Sequence, residues 1–168
     1  MSDIAPLIVS ILALVLTFYQ LRLQRIHNEK SLKPLPQIDL LDKDGLLYVR
    51  VQNNGVGPMI ITALKFIKDQ QQYSRIQECI SFDPKWYDHI DVDANNQKVV
   101  FPGAYLEIFA KQFNAIKPEP ESELLRQQLS AITVVAEGRD IYDNKVSVEK
   151  SLRWFGRYVE AGTGKTAS

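Results

Sequence analysis

The sequence predicts a mainly β chain, an antiparallel β-sandwich held behind a single membrane-spanning helix at its N-terminus. Three observations carry this. The run from Ile4 to Leu21 contains no charged residue. Further along, apolar residues recur at every second position in several short segments, such as Leu47, Val49 and Val51, the period of a strand with one buried face. Between these segments stand clusters of turn-forming residues, above all Asn53-Asn54-Gly55-Val56-Gly57-Pro58.

As a helix the first run reaches roughly 27 Å at about 1.5 Å per residue, the thickness of a bilayer's hydrocarbon core. Ile4, Leu7, Leu12 and Leu16 supply its lipid-facing bulk, and Tyr19 falls at the interface. Pro6 sits where a missing N–H costs little, and Ser10 and Thr17 can bond their hydroxyls to the helix's own carbonyls. A cleaved signal peptide would carry basic residues before the run and small residues after it; here Met-Ser-Asp precedes it and "RLQRIHNEK" follows. Arg22, Arg25, Lys30 and Lys33 after the span, against Asp3 alone before it, orient the C-terminal side toward the cytoplasm. The single cysteine, Cys79, fits a reducing compartment.

No helix breaker appears before Pro34, so the helix is expected to run on past the membrane. Leu12, Leu16, Tyr19, Leu23 and Ile26 alternate steps of four and three, a heptad seam that would suit a homo-oligomer. The competing reading puts the basic residues on anionic headgroups with Leu23 and Ile26 at the interface. "KPLPQ", Lys33 to Gln37, reads as a stiff spacer. The chain thus divides into a helix with a basic extension over 1–33, a sandwich over 34–159 and a tail over 160–168.

Strands are predicted around Leu47–Val51, Ile60–Ile67, Val99–Val100, Ala104–Ala110, Ile132–Ala136 and Val146–Val148. "PEPESELLRQQL" reads as the one helix of the soluble part, with acids in its first turn and Leu124, Leu125 and Leu129 on one face. Residues 69–98 mix polar loop with edge strand. The cluster at Asn54, Gly55, Gly57 and Pro58 is too long for a two-residue hairpin turn. It suits a corner between sheets, where glycine can take positive φ and Pro58 opens the next strand.

This Asn-x-Gly-x-Gly-Pro corner behind an apolar helix resembles a set of poorly characterised bacterial proteins. "EGRDIYDNKVSVEKS" (Glu137 to Ser151) is similar to the aromatic-acidic hairpin before their last strand. Met59 and Asn144 depart from the pattern, standing where a small residue and a glycine are commoner. The resemblance implies an immunoglobulin-like sandwich on a single-pass inner-membrane anchor and no particular activity.

Motifs that carry chemistry are incomplete. "GTGKT" (Gly162 to Thr166) has Val159 where a phosphate loop needs its first glycine. Asp91, Asp93 and Asn95 have calcium-loop spacing, but Asn96 and Pro102 occupy the positions of the turn glycine and the bidentate glutamate. His27 and His89 have no companion set, and Cys79 lacks a neighbouring base. No catalytic residue, metal or cofactor is expected, and the zero net charge gives no pull toward nucleic acid. Trp86 and Tyr87, in an acidic loop, are either exposed contact anchors for a partner or rings tucked onto the sandwich; Trp154 and Phe155 are expected to close the core. The functional expectation is a non-enzymatic adaptor whose partners are the bilayer and another membrane-associated protein. Two alternatives stand beside it: an effector helix that oligomerises to perturb the membrane, and a small-ligand sensor.

Overall fold

The structure, a computed structural model, describes residues 4–114 and 120–158. The tail at 160–168, with its Gly-Thr-Gly-Lys-Thr run, lies outside the described residues.

α1 is one uninterrupted helix, Ile4–Ser31, none of whose residues is buried. The Ser10 and Thr17 hydroxyls each donate to the carbonyl four residues back, Pro6 and Ala13, at 2.8 Å. It is long and apolar enough to cross a membrane.

The remainder forms two antiparallel sheets. In the first, β1 (Pro36–Lys43), β2 (Leu46–Asn53), β7 (Tyr105–Gln112) and β5 (Asp88–His89) lie in the order β1-β2-β7-β5. In the second, β4 (Gln71–Tyr73), β3 (Met59–Lys68), β8 (Thr133–Arg139) and β9 (Lys145–Ser151) lie in the order β4-β3-β8-β9, with β6 (Lys98–Val100) also paired to β3. Leu47, Val49 and Val51 of the first sheet and Ile61, Leu64, Phe66, Val134 and Ala136 of the second fill the core. That alternation is what the period-two pattern requires, and each of these side chains larger than Ala136 contributes about 1.5–3 kcal/mol on burial. β7 breaks it: a bulge opposite Val49 and Arg50 leaves Ile108, Phe109 and Ala110 all buried in succession.

The two ends of the sandwich differ. At the distal end α2 (Pro120–Ser130) packs on a 3₁₀ helix, Leu152–Tyr158, and Leu125, Leu129, Leu152 and Phe155 are fully buried. Arg126 on α2 holds Asp42, at the distal end of β1, through two hydrogen bonds of 2.9 and 3.0 Å. Leu124 is exposed, so the buried stripe of α2 is narrower than predicted. At the other end lie the corner, the turn after β6, the β8–β9 hairpin and the exit of α1.

Several expectations are corrected. The spacer is short: β1 begins at Pro36 and pairs Pro36 with Asn53. As an edge strand it accepts proline at its first position. Phe155 enters the core, but Trp154 is 41% exposed, its ring 3.2 Å beneath the Arg157 guanidinium. Residues 69–98 form, as expected, loop with short edge strands, β4 and β5, together with two 3₁₀ turns and the first residue of β6.

Candidate functional site: the helix–sandwich junction

The corner is the joint by which α1 is fastened to the sandwich. It leads from β2 in one sheet to β3 in the other, as its composition predicts. Its glycines work differently from expectation. The glycines with positive φ are Gly45 and Gly103, not Gly55 or Gly57. What Gly55 and Gly57 provide is absence of bulk. A Cβ on Gly57 would stand 1.8 Å from the Leu32 carbonyl oxygen, and one on Gly55 would stand 2.4 Å from both the Leu35 nitrogen and the Lys33 carbonyl oxygen. The segment Leu32 to Leu35 passes flush across the bare backbone, a glycine use distinct from torsional freedom.

Asn53 supplies the polar half of this socket. It is fully buried. Its Oδ1 accepts from the backbone N–H of Leu35 (3.1 Å) and of Gly55 (3.0 Å). Its Nδ2 donates to the carbonyls of Gly57 (2.7 Å) and Val100 (3.1 Å). All four hydrogen-bonding positions of the amide are used, joining the segment that follows α1, the corner and β6 through one side chain. Backbone bonds add to this: the N–H of Asn54 donates to the Leu35 carbonyl at 2.9 Å, and those of Val56 and Gly57 to the Lys33 carbonyl at 3.3 and 3.4 Å. Asn54 also reaches Gln37 at 3.1 Å.

The β8–β9 hairpin forms the other wall. Asp140 is buried, and its Oδ1 accepts from the N–H of Tyr142 (2.8 Å) and Asn144 (2.9 Å), its Oδ2 from Asn144 Nδ2 (2.9 Å). Burial alone would raise the Asp140 carboxyl's pKa; these hydrogen bonds and the nearby Lys33 ammonium outweigh it and hold the pKa below the ordinary value. Asn144 thus acts as a partner to Asp140, and Asp143 beside it takes the left-handed conformation, φ 66°. Lys33, Pro34 and Leu35 share an open cleft with Asp140, Asn144 and Lys145.

The other candidate contact residues lie away from the joint, and of the two readings of Trp86 and Tyr87 the structure takes the tucked one. Tyr87 is 5% exposed and in the core cluster, packed on Phe109 with ring centroids 4.9 Å apart. Burial pushes its hydroxyl up to about 12, with Asp91 and Asp83 adding to the shift. Trp86 is half-buried, stacked on Phe82 at 4.6 Å and edge-on to Phe113 at 5.5 Å. The Lys111 ammonium sits over its ring at 3.9 Å. The acidic loop is therefore held down by its own aromatics. Within it, Asp93 accepts from the N–H of Asn95 and Asn96, and among the described residues no group of three or more His, Cys, Asp or Glu side chains is arranged to hold a metal ion. Cys79 is buried, which pushes its thiol up to about 11, and His89 bonds to Gln77.

A different aromatic group faces outward on the first sheet. The Arg50 guanidinium lies 4.4 Å from the ring centroids of both Tyr48 and Tyr105, with Asp39 3.9 Å away. Tyr105 is exposed. Only the alternation of β2 pointed to this face, by placing Tyr48 and Arg50 opposite the core.

The chain is therefore a long apolar N-terminal helix fastened by a short socket to a two-sheet antiparallel sandwich. Comparison with protein-family models finds no match, and comparison with curated proteins finds no similar sequence.

Proposed function

We propose that the protein is a bitopic inner-membrane protein that displays a non-enzymatic, immunoglobulin-like interaction domain on the cytoplasmic side. The observation that carries this reading is the socket. A helix composed for lipid is joined to the sandwich through Asn53, Gly55 and Gly57 without a slack linker, so the sandwich is held at a fixed attitude beside the bilayer. Confinement of this kind raises the effective concentration of the domain for another membrane-associated protein. The Tyr48–Arg50–Tyr105 face replaces Trp86 and Tyr87 as the contact surface, since tyrosine and arginine are the residue types that anchor interfaces. The test has two arms. Alkaline extraction should leave the chain in the membrane pellet, and protease should digest the sandwich only after cells are opened. A photo-crosslinker at Tyr105 should then capture a membrane protein, and Arg50→Ala should abolish the capture. Release by alkali, digestion from outside, or capture unaffected by Arg50→Ala would each overturn the corresponding part.

One observation favours a second reading. The seam residues Leu12, Leu16, Tyr19, Leu23 and Ile26 are all exposed along one continuous helix, free to meet another copy. Cysteines placed at Leu16 and Leu23 would crosslink in membranes if the helix self-associates, and no dimer under oxidation would rule it out.

A further inference from the structure

We infer that the tip of the β8–β9 hairpin, Ile141 and Tyr142, reaches the outer edge of the lipid headgroup layer and forms a second membrane contact. This rests on the reading of α1 as a membrane span. Four features of the junction support it.

The first is direction. Ile141, Tyr142, Asp143 and Asn144 line one cleft with Arg25 and Glu29. Since α1 joins the sandwich at Leu32, a hairpin that reaches Arg25 has turned back along the helix toward its apolar part.

The second is depth. Arg25 lies four residues past Leu21, about 6 Å along the axis, and Glu29 about 12 Å. The headgroup region of one leaflet is roughly 5–8 Å deep, from the difference between full and hydrocarbon thickness. The tip therefore spans the level where headgroups give way to water.

The third is the side chains. Hairpin turns favour Asn, Asp and Gly, yet this one presents an isoleucine 50% exposed and a tyrosine 38% exposed. Tyrosine is enriched at membrane interfaces. Val56 in the corner and Phe101 after β6 are exposed at the same end of the sandwich.

The fourth is charge. The acids at the cleft each have a basic or N–H partner: Asp143 pairs with Arg139 at 2.6 Å, Glu29 with Arg25 at 3.2 Å, and Asp140 is buried against N–H donors. The exposed Lys30, Lys33 and Lys145 line clefts beside Asn144 at the base of the hairpin, where they would attract an anionic surface.

The test uses the full chain in nanodiscs of phosphatidylethanolamine and phosphatidylglycerol. An environment-sensitive fluorophore is attached through Ile141→Cys or Tyr142→Cys, with Leu12→Cys inside the span and Asp44→Cys at the distal end as references. The expected result is a blue shift and loss of most emission with headgroup-region spin-labelled lipid at both hairpin positions, and no change at Asp44. If Leu12 is quenched by acyl-chain spin label while the hairpin positions behave like Asp44, the second contact is wrong and the anchor stands. A blue shift at the hairpin without quenching would mean the label is covered by protein, which also overturns the proposal. Failure to quench at Leu12 would overturn the anchor and the hairpin contact together.

Discussion

Gly57→Ala should open the joint between α1 and the sandwich while leaving the sandwich folded. The added Cβ would stand 1.8 Å from the Leu32 carbonyl oxygen, 2.6 Å from its carbon and 3.3 Å from its Cα. Real Cβ atoms essentially never come within 3.0 Å of such an atom, so Leu32 must retreat by about 1.2 Å or more. The clash is with backbone, so no side-chain rotation relieves it. The nearest bonds are also the weakest: the N–H groups of Val56 and Gly57 reach the Lys33 carbonyl at 3.3 and 3.4 Å. Losing both, with part of the packing of Pro34, costs on the order of 2 kcal/mol. A local opening of that size lowers amide protection about 30-fold. Hydrogen exchange of the full chain in nanodiscs, followed at Val56 and at Val49 in the core, is the assay. Val56 should lose protection and Val49 should keep it. Unchanged protection at Val56 would refute the close-approach argument, because the alanine would then have fitted without moving Leu32.

Three further outcomes follow from the same structure. Asn53→Asp turns an oxygen toward the Gly57 and Val100 carbonyls that Nδ2 now bonds at 2.7 and 3.1 Å; urea denaturation should show a loss of about 3 kcal/mol or more, growing as pH rises and the new carboxyl ionises. Asp140, whose pKa is lowered from 3.8 in the fold, contributes stability that is present above 3.8 and lost as pH falls through the folded value. Denaturation midpoints measured down to about pH 3 should therefore fall in the wild type, and Asp140→Asn should flatten that slope. Arg126→Met removes the two-bond partner of Asp42, whose side chain is 5% exposed. With Arg157 still 3.8 Å from Asp42, the loss should be about 2–3 kcal/mol in urea denaturation.

The period-two runs were legible because burial on one face selects side chains residue by residue, and the N-terminal run because 18 positions without a charge make one long apolar helix. β1 was hidden by its own edge position: Leu40 and Leu41 stand side by side, and prolines flank Leu35, so neither alternation nor β-branching marked it. β4 and β5 are three and two residues long, shorter than one period-two pattern can declare. The corner's location was readable, but its glycines were assigned torsional freedom because the segment that crosses them, Leu32 to Leu35, is distant in sequence and its approach is a tertiary fact. Asn53 illustrates the same limit: a buried amide with four partners looks, in sequence, like any turn asparagine. Tyr87 was left open between exposure and burial because its sequence neighbours are acidic and the Phe109 ring that packs on it comes from β7. Trp154 was misjudged, its aromatic bulk suggesting burial where Arg157 covers the ring at the surface.

Because α1 enters its socket without slack, the rotation of the sandwich about the helix axis is set by helical phase. One residue inserted or deleted between Glu29 and Leu32 would swing the whole domain by about 100°, whereas four residues together would bring it back to within about 40° of its bearing. Length in that short stretch is therefore under a rotational constraint that composition alone does not reveal.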